Sequence, residues 1–145
     1  VKQGYVAGTN AAGGSASFLD VLGSTVSKIV GLEVGATGLT EAQAEKAGLK
    51  TVSASLTGKT REDYFPGGER VRVKIVADPD QGRVLGCQMV GKEVAHRINT
   101  VAVAIQNRMR VRDLAMADTC YAPPVSVCLE PICTAAHLVE SKLHR

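Results

Sequence analysis

The sequence predicts an α+β domain, an antiparallel β-sheet with helices packed on one face. Three observations carry this. Arg70–Asp78 (RVRVKIVAD) alternates apolar and mostly basic residues. Arg83–Gly91 (RVLGCQMVG) returns after the turn sequence DPDQG. From Glu93 onward the apolar spacing switches from two residues to 3.6.

In chain order, the first 26 residues, opening VKQGYVAGTNAAGGSASFLDVLGS, are rich in Gly, Ala and Ser and poor in periodicity. Lys2–Asn10 reads as a turn or two of helix that Gly13-Gly14 ends. Residues 1–26 are expected to be a linker, or the tail of an element whose body lies upstream. The chain begins with Val1 rather than Met, which fits a processed protein or a piece of a longer one. Residues 27–145 are expected to form the domain proper.

Lys28–Ala36 is β-branched and apolar, a candidate strand. Thr40 then offers a helix N-cap, Gln43 the reciprocal partner of a capping box, and Gly48 a stop. Val52, Ala54 and Leu56 alternate with Ser53, Ser55 and Thr57, a second strand. Thr60–Glu69 is a loop with turn chemistry at Pro66-Gly67-Gly68. In the next strand Val71, Val73, Ile75 and Ala77 face the core; Arg70, Arg72, Lys74 and Val76 face the other way, so that face reads as cationic or solvated.

Val94, Ile98, Val101, Ala102, Ile105 and Met109 form a helical stripe that Val103 and Ala104 broaden. So wide a stripe is expected to be covered by its own sheet on one side and to join a second copy on the other. Residues 111–118 (VRDLAMAD) read as a shorter helix. Tyr121-Ala122-Pro123-Pro124 interrupts everything, because each proline holds its predecessor extended. A last helix starts near Pro131 and buries Ile132, Ala135, Ala136, Val139 and Leu143. The expected order is β-α-β-β-β-α-α.

Composition limits the function classes. No apolar stretch reaches the roughly 18–20 residues of a membrane span, so no membrane partner is expected. A net charge of +3, spread evenly, and 3% aromatics argue against nucleic acid. Four cysteines at 87, 120, 128 and 133 lack metal-site spacing. They read as reduced thiols in a cytoplasmic protein.

LTGKT (Leu56–Thr60) resembles the end of a phosphate loop, but position 53 is Ser where the motif needs Gly, and no helix follows. No G-x-G-x-x-G occurs, so the chain is not expected to hold a dinucleotide by itself. Cys128 and Cys133 flank Pro131 at a helix start, where a thiol can be activated; the competing reading is an inert apolar thiol. Cys87 reads as core. His137 follows Cys133 by four residues, without a third ligand, so no metal is expected. Tyr64-Phe65 and Tyr121 sit on proline-stiffened loops, where aromatics often touch something outside the fold.

Several stretches together resemble one family: VLGSTVSKIVGLEVGATGLTEAQA, the DYFPGG loop, GRVLGCQMVGKEVAHRINTVAVAIQN, and DLAMADTCYAPPVS with its following Glu-Pro. They are similar to the C-terminal dimerisation domain of the pyridine nucleotide-disulfide oxidoreductases, in the branch of NADH oxidases, coenzyme A-disulfide reductases and persulfide reductases. The resemblance runs from Val21 to the end, and KQGYVAG looks like the last helix of that family's FAD domain. It implies a homodimer in which each copy walls off its mate's flavin and thiol site. It implies catalytic roles for Tyr121 and for a loop aromatic, Tyr64 or else Phe65 in its place. Ala122, Pro123, Pro124 and Phe65 would line the wall. FAD and NAD(P)H are implied for the full-length protein, with coenzyme A, a persulfide or a disulfide, or oxygen, as acceptor. The redox-active thiol and the cofactor folds belong to an N-terminal part in such proteins, so this chain alone is expected to bind no flavin and to be inactive. The His-Pro and Glu pair of glutathione-reductase-like members has no counterpart here, and Cys128 stands where members carry an apolar or aromatic residue. The rival readings are a stand-alone dimeric binding module without catalysis and a small thiol enzyme using Cys120, Cys128 or Cys133.

Overall fold

The structure is a computed structural model that describes residues 1–18 and 20–144. Its centre is a five-stranded, wholly antiparallel sheet in the order β1-β2-β5-β4-β3. The strands are β1 (Thr25–Ile29), β2 (Leu32–Gly38), β3 (Val52–Lys59), β4 (Arg70–Ala77) and β5 (Val84–Gly91). The helices are α1 (Lys2–Ala11), α2 (Glu41–Lys46), α3 (Val94–Gln106), α4 (Val111–Ala115) and α5 (Pro131–Leu143).

The single strand expected over Lys28–Ala36 is a hairpin. Val30 (φ 47°) and Gly31 (φ 79°) make a two-residue turn with both residues left-handed. That geometry matches the twist of the flanking strands. The turn escapes sequence reading because a β-branched residue rarely accepts positive φ, and Val30 looks like strand interior although it is wholly exposed.

Register sorts the side chains between two faces. Gly35, Met89, Val73 and Leu56 lie in one row, and Thr37, Cys87, Ile75 and Ala54 in the next. On this face α3 and α5 complete the core with Val94, Ile98, Val101, Ile132, Ala136 and Val139. A Cβ on Gly35 would lie 2.8 Å from both Ile98 Cγ1 and Val94 Cγ1, so α3 rests directly on that glycine. Gly58 plays the same part for α5, where Pro131 Cγ would be 2.7 Å from an added Cβ. Pro131 begins the helix, a position where its lost N–H costs nothing.

The opposite face is partly covered rather than fully solvated. The short helix α2 carries the expected capping box: Gln43 N donates to Thr40 Oγ1 (3.2 Å) and Thr40 N to Gln43 Oε1 (2.9 Å). Its Glu41 carboxylate accepts from Lys74 and from Ser53 Oγ, which lowers the carboxyl's pKa. The Lys74 bond is the largest cause, then Ser53. Val76 points to this face as the alternation predicts, yet it is completely buried there, as is Ala44 of α2.

As expected, the sheet covers one side of the α3 stripe: Val94, Ile98, Val101 and Ala104 are buried within their own domain, while Ala102 and Ile105 are half-buried and Ala95 and Val103 exposed. The same helix hides a charge. Arg97 is almost fully buried and donates through Nε (2.6 Å) and Nη2 (3.3 Å) to the two carboxylate oxygens of Glu130, the residue before α5. No helix among the described residues is long and apolar enough to cross a membrane.

Candidate functional site

Two loops meet at one end of the domain. The first, residues 60–69, is closed at its neck: Thr60 is fully buried, its N–H donates to Glu69 O (2.9 Å), and Glu69 N donates to Thr60 Oγ1 (3.1 Å). Within it, Lys59 pairs with Asp63, Phe65 N donates to Glu62 O (3.0 Å), and Arg61 Nη1 donates to Pro66 O (3.3 Å). Gly67 turns the loop at φ 80°. The Gly-Lys-Thr of the phosphate-loop lookalike is thus the end of β3 and this neck, with its lysine and threonine already engaged.

The second is the Tyr-Ala-Pro-Pro arm. Val125 N and Ser126 N both donate to Ala122 O (2.9 and 2.8 Å), and Ser126 Oγ donates to Cys120 O (2.8 Å). With φ fixed at Pro123 and Pro124, the arm is held by its own backbone. A groove of about 420 Å³ runs between arm and helices, lined among others by His96, Thr100, Cys120 and Cys133. The Arg97–Glu130 pair and the start of α5 line the same groove as the arm.

The loops touch through their tyrosines. Tyr64 Oη and Tyr121 Oη are 2.9 Å apart, a hydrogen bond spanning 57 residues of sequence. Cys128 N donates to Glu62 Oε1 (2.7 Å), a second tie between the same two segments. Neither phenol is turned into the interior: Tyr64 is 71% and Tyr121 49% exposed. Phe65 is half-buried, so of the two loop aromatics it is Tyr64 that reaches Tyr121. Ala122 and Pro123 are half-buried and Pro124 is exposed. Met116, Val125 and Leu129 extend an apolar, solvent-facing surface around the arm.

The Tyr121 phenol is pushed up to about 12. The hydrogen bond with Tyr64 is the main cause, followed by desolvation and by electrostatic effects of Tyr64, Glu62 and Cys128 that disfavour the phenolate. At neutral pH it keeps its proton and serves as a donor rather than a base.

The thiols divide by burial. Cys87 lies in the core and burial pushes its thiol far up. Cys133 at the start of α5 is also raised, by burial and then by the Glu130 carboxylate, which together outweigh the backbone amide that lowers it. Its place at a helix start does not activate it. Cys120 and Cys128 are exposed. His137 Nδ1 meets Glu140 (3.5 Å), and among the described residues no three His, Cys, Asp or Glu side chains gather as a metal site. The sequence reading missed Glu62, Arg97 and Glu130, whose partners lie 66 and 33 residues away with no local signal.

Comparison with known proteins fits this geometry. The chain is 44% identical to an NADH oxidase of Methanocaldococcus jannaschii over 99% of its length, covering 32% of that protein. It is 39% identical to an NAD(P)H sulfur oxidoreductase (CoA-dependent) of Pyrococcus abyssi over 96% of its length, covering 31% of that one. Among solved structures, an NAD-dependent persulfide reductase from A. fulgidus superposes with a TM-score of 0.93 at 36% identity, over 97% of this chain and 26% of that one. The chain thus spans about a third or less of the length of these relatives. Residues 25–130 match the model of the pyridine nucleotide-disulphide oxidoreductase dimerisation domain. That match spans the sheet, both tyrosine loops and the buried Arg97–Glu130 pair, and this chain belongs to that family of dimerisation domains.

Proposed function

We propose that this chain is the interface-forming part of an FAD-dependent NAD(P)H oxidoreductase that works as a homodimer in the cytoplasm. Its acceptor is a disulfide or persulfide, such as that of coenzyme A, or oxygen. The interface domain, expected over residues 27–145, begins with β1 at Thr25, and the segment before it is a linker or the tail of a preceding FAD domain; α1 buries no residue within this chain. Four free cysteines fit the reducing compartment.

One observation carries this reading. Two phenols from distant loops are joined by a hydrogen bond and presented outward on a proline-stiffened arm. A pair serving only its own core would be packed inward. Bracing the arm beforehand lowers the ordering cost of docking against a second copy.

The chain's phenols and prolines offer no charged cradle for a pyrophosphate. They suit the wall of a site whose flavin and nicotinamide are held elsewhere in the full-length protein. Those cofactors would supply the reducing electrons. This chain's part is to exclude water with Ala122, Pro123, Pro124 and Phe65, and to offer the Tyr121 proton, backed by Tyr64, to a thiolate as it leaves a sulfur–sulfur bond.

The test is steady-state NADH oxidation by the full-length protein with coenzyme A disulfide, with a persulfide and with air. Tyr121→Phe should lower kcat by about tenfold or more with at least one acceptor. Wild-type rates with all three, or a strictly monomeric full-length protein, would refute the proposal.

A further inference from the structure

The two tyrosine loops are tied at two points that close a ring. From Tyr121 the path runs through Ala122 O to Ser126, on to the Cys128 amide, across to the Glu62 carboxylate, and two residues along to Tyr64. The Tyr64–Tyr121 hydrogen bond completes it. The phenolic end is exposed and joins two long side chains, so alone it would open readily in water. The other end is a short charge-assisted bond of 2.7 Å, roughly twice the strength of a neutral one. Its donor is the backbone N–H of Cys128, so the thiol is not needed. Glu62 is itself held from within its loop, since its carbonyl accepts from Phe65 N.

We propose that Glu62 is the positioning residue of the tyrosine pair, clamping the 60–69 loop to the segment before α5 so that the two phenols meet. This rests on the reading of Tyr121 as a group that acts on substrate. The clamp itself is a property of the chain and can fail separately. Tyr64 hydrogen-bonds the Tyr121 phenol, and Glu62 and Cys128 act on it electrostatically. Loosening the clamp removes the first and most effective of these influences.

The experiment compares Glu62→Ala, Glu62→Gln and Glu62→Asp in the full-length protein. Glutamine keeps an oxygen for the Cys128 N–H and loses the charge; aspartate keeps the charge and falls a methylene short. The first readout is the alkaline titration of Tyr121, taken as the ultraviolet difference between each variant and the same variant carrying Tyr121→Phe. The midpoint should fall from about 12 toward the ordinary phenol value in the alanine and aspartate variants. The glutamine variant should fall less. The second readout is kcat for NADH oxidation with coenzyme A disulfide. It should drop about tenfold in the alanine and aspartate variants with KM little changed, and about threefold or less with glutamine. If alanine destabilises the domain, aspartate, which preserves most of the packing, gives the same reading. A Tyr121 titration identical in wild type, Glu62→Ala and Glu62→Asp overturns the clamp, as does a glutamine variant no better than alanine. A titration that moves as expected while Tyr121→Phe stays fully active leaves the clamp standing and defeats the catalytic reading instead.

Discussion

Removing the carboxylate of Glu130 should be among the most damaging single changes in this domain. Arg97 and Glu130 have side chains only 4% and 11% exposed, and two of the guanidinium nitrogens are bound to the carboxylate. Glu130→Ala leaves the guanidinium where water can hardly reach it. Breaking a buried pair from one side costs about 3–5 kcal/mol. Arg97 keeps two lesser supports, the Glu93 carbonyl at 2.9 Å and the Glu93 carboxylate at 3.5 Å, the latter 36% exposed. The expected loss is therefore near the lower bound, about 3 kcal/mol. Replacing both charges, as in Arg97→Met with Glu130→Leu, removes the stranded ion along with its partner and should cost less than Glu130→Ala alone. Urea unfolding followed by circular dichroism measures both, with a shifted midpoint at constant slope. If Glu130→Ala costs under about 1 kcal/mol, or the double variant is the worse of the two, burial is not what gives this pair its weight.

The remaining predictions concern the phenol and the backbone. Tyr121 has its pKa raised on folding, so its contribution to stability is complete below its unfolded value of about 10 and is lost as pH rises toward about 12. Tyr121→Phe should flatten that alkaline decline in thermal midpoint, and an unchanged profile would contradict the assignment. Gly86→Ala should lower stability by at least about 3 kcal/mol in urea titration, since its Cβ would fall 1.9 Å from Leu39 O, a backbone atom that cannot step aside. Gly35→Ala would meet side-chain atoms of Ile98 and Val94 at 2.8 Å and the Thr25 carbonyl oxygen at 3.3 Å, a milder clash with backbone, and should cost less, about 1–2 kcal/mol. Val30→Asn should raise the thermal midpoint, by about 1 kcal/mol of stability, because it relieves a β-branched residue at φ 47°.

Most of the fold was legible from local patterns, and the family from the resemblance of several stretches to a known one. The alternation of Val71, Val73 and Ile75, the Thr40–Gln43 capping box and the proline start of α5 are short-range signals. Each sits within the span over which hydrogen bonding and side-chain period act. Reading failed where a neighbour from far along the chain overrides the local preference. Val30 is held in a turn by the pairing of β1 with β2. Val76, on a face read as cationic or solvated, is fully buried. Gly35 lets α3 rest directly on the sheet, a close approach that no local pattern announces.

For the site the division is similar. The sequence alone determined that Tyr64 and Tyr121 stand on stiff loops, and that the prolines hold the second of these extended, because proline fixes φ wherever it occurs. Only the tertiary structure decided that the two hydroxyls meet at 2.9 Å, that Glu62 ties their loops together, and that Arg97 is buried against Glu130. Those contacts join residues 57, 66 and 33 positions apart. A hydrogen bond acts over about 3 Å of space, and no local pattern of residues encodes which distant segments folding will bring within that reach.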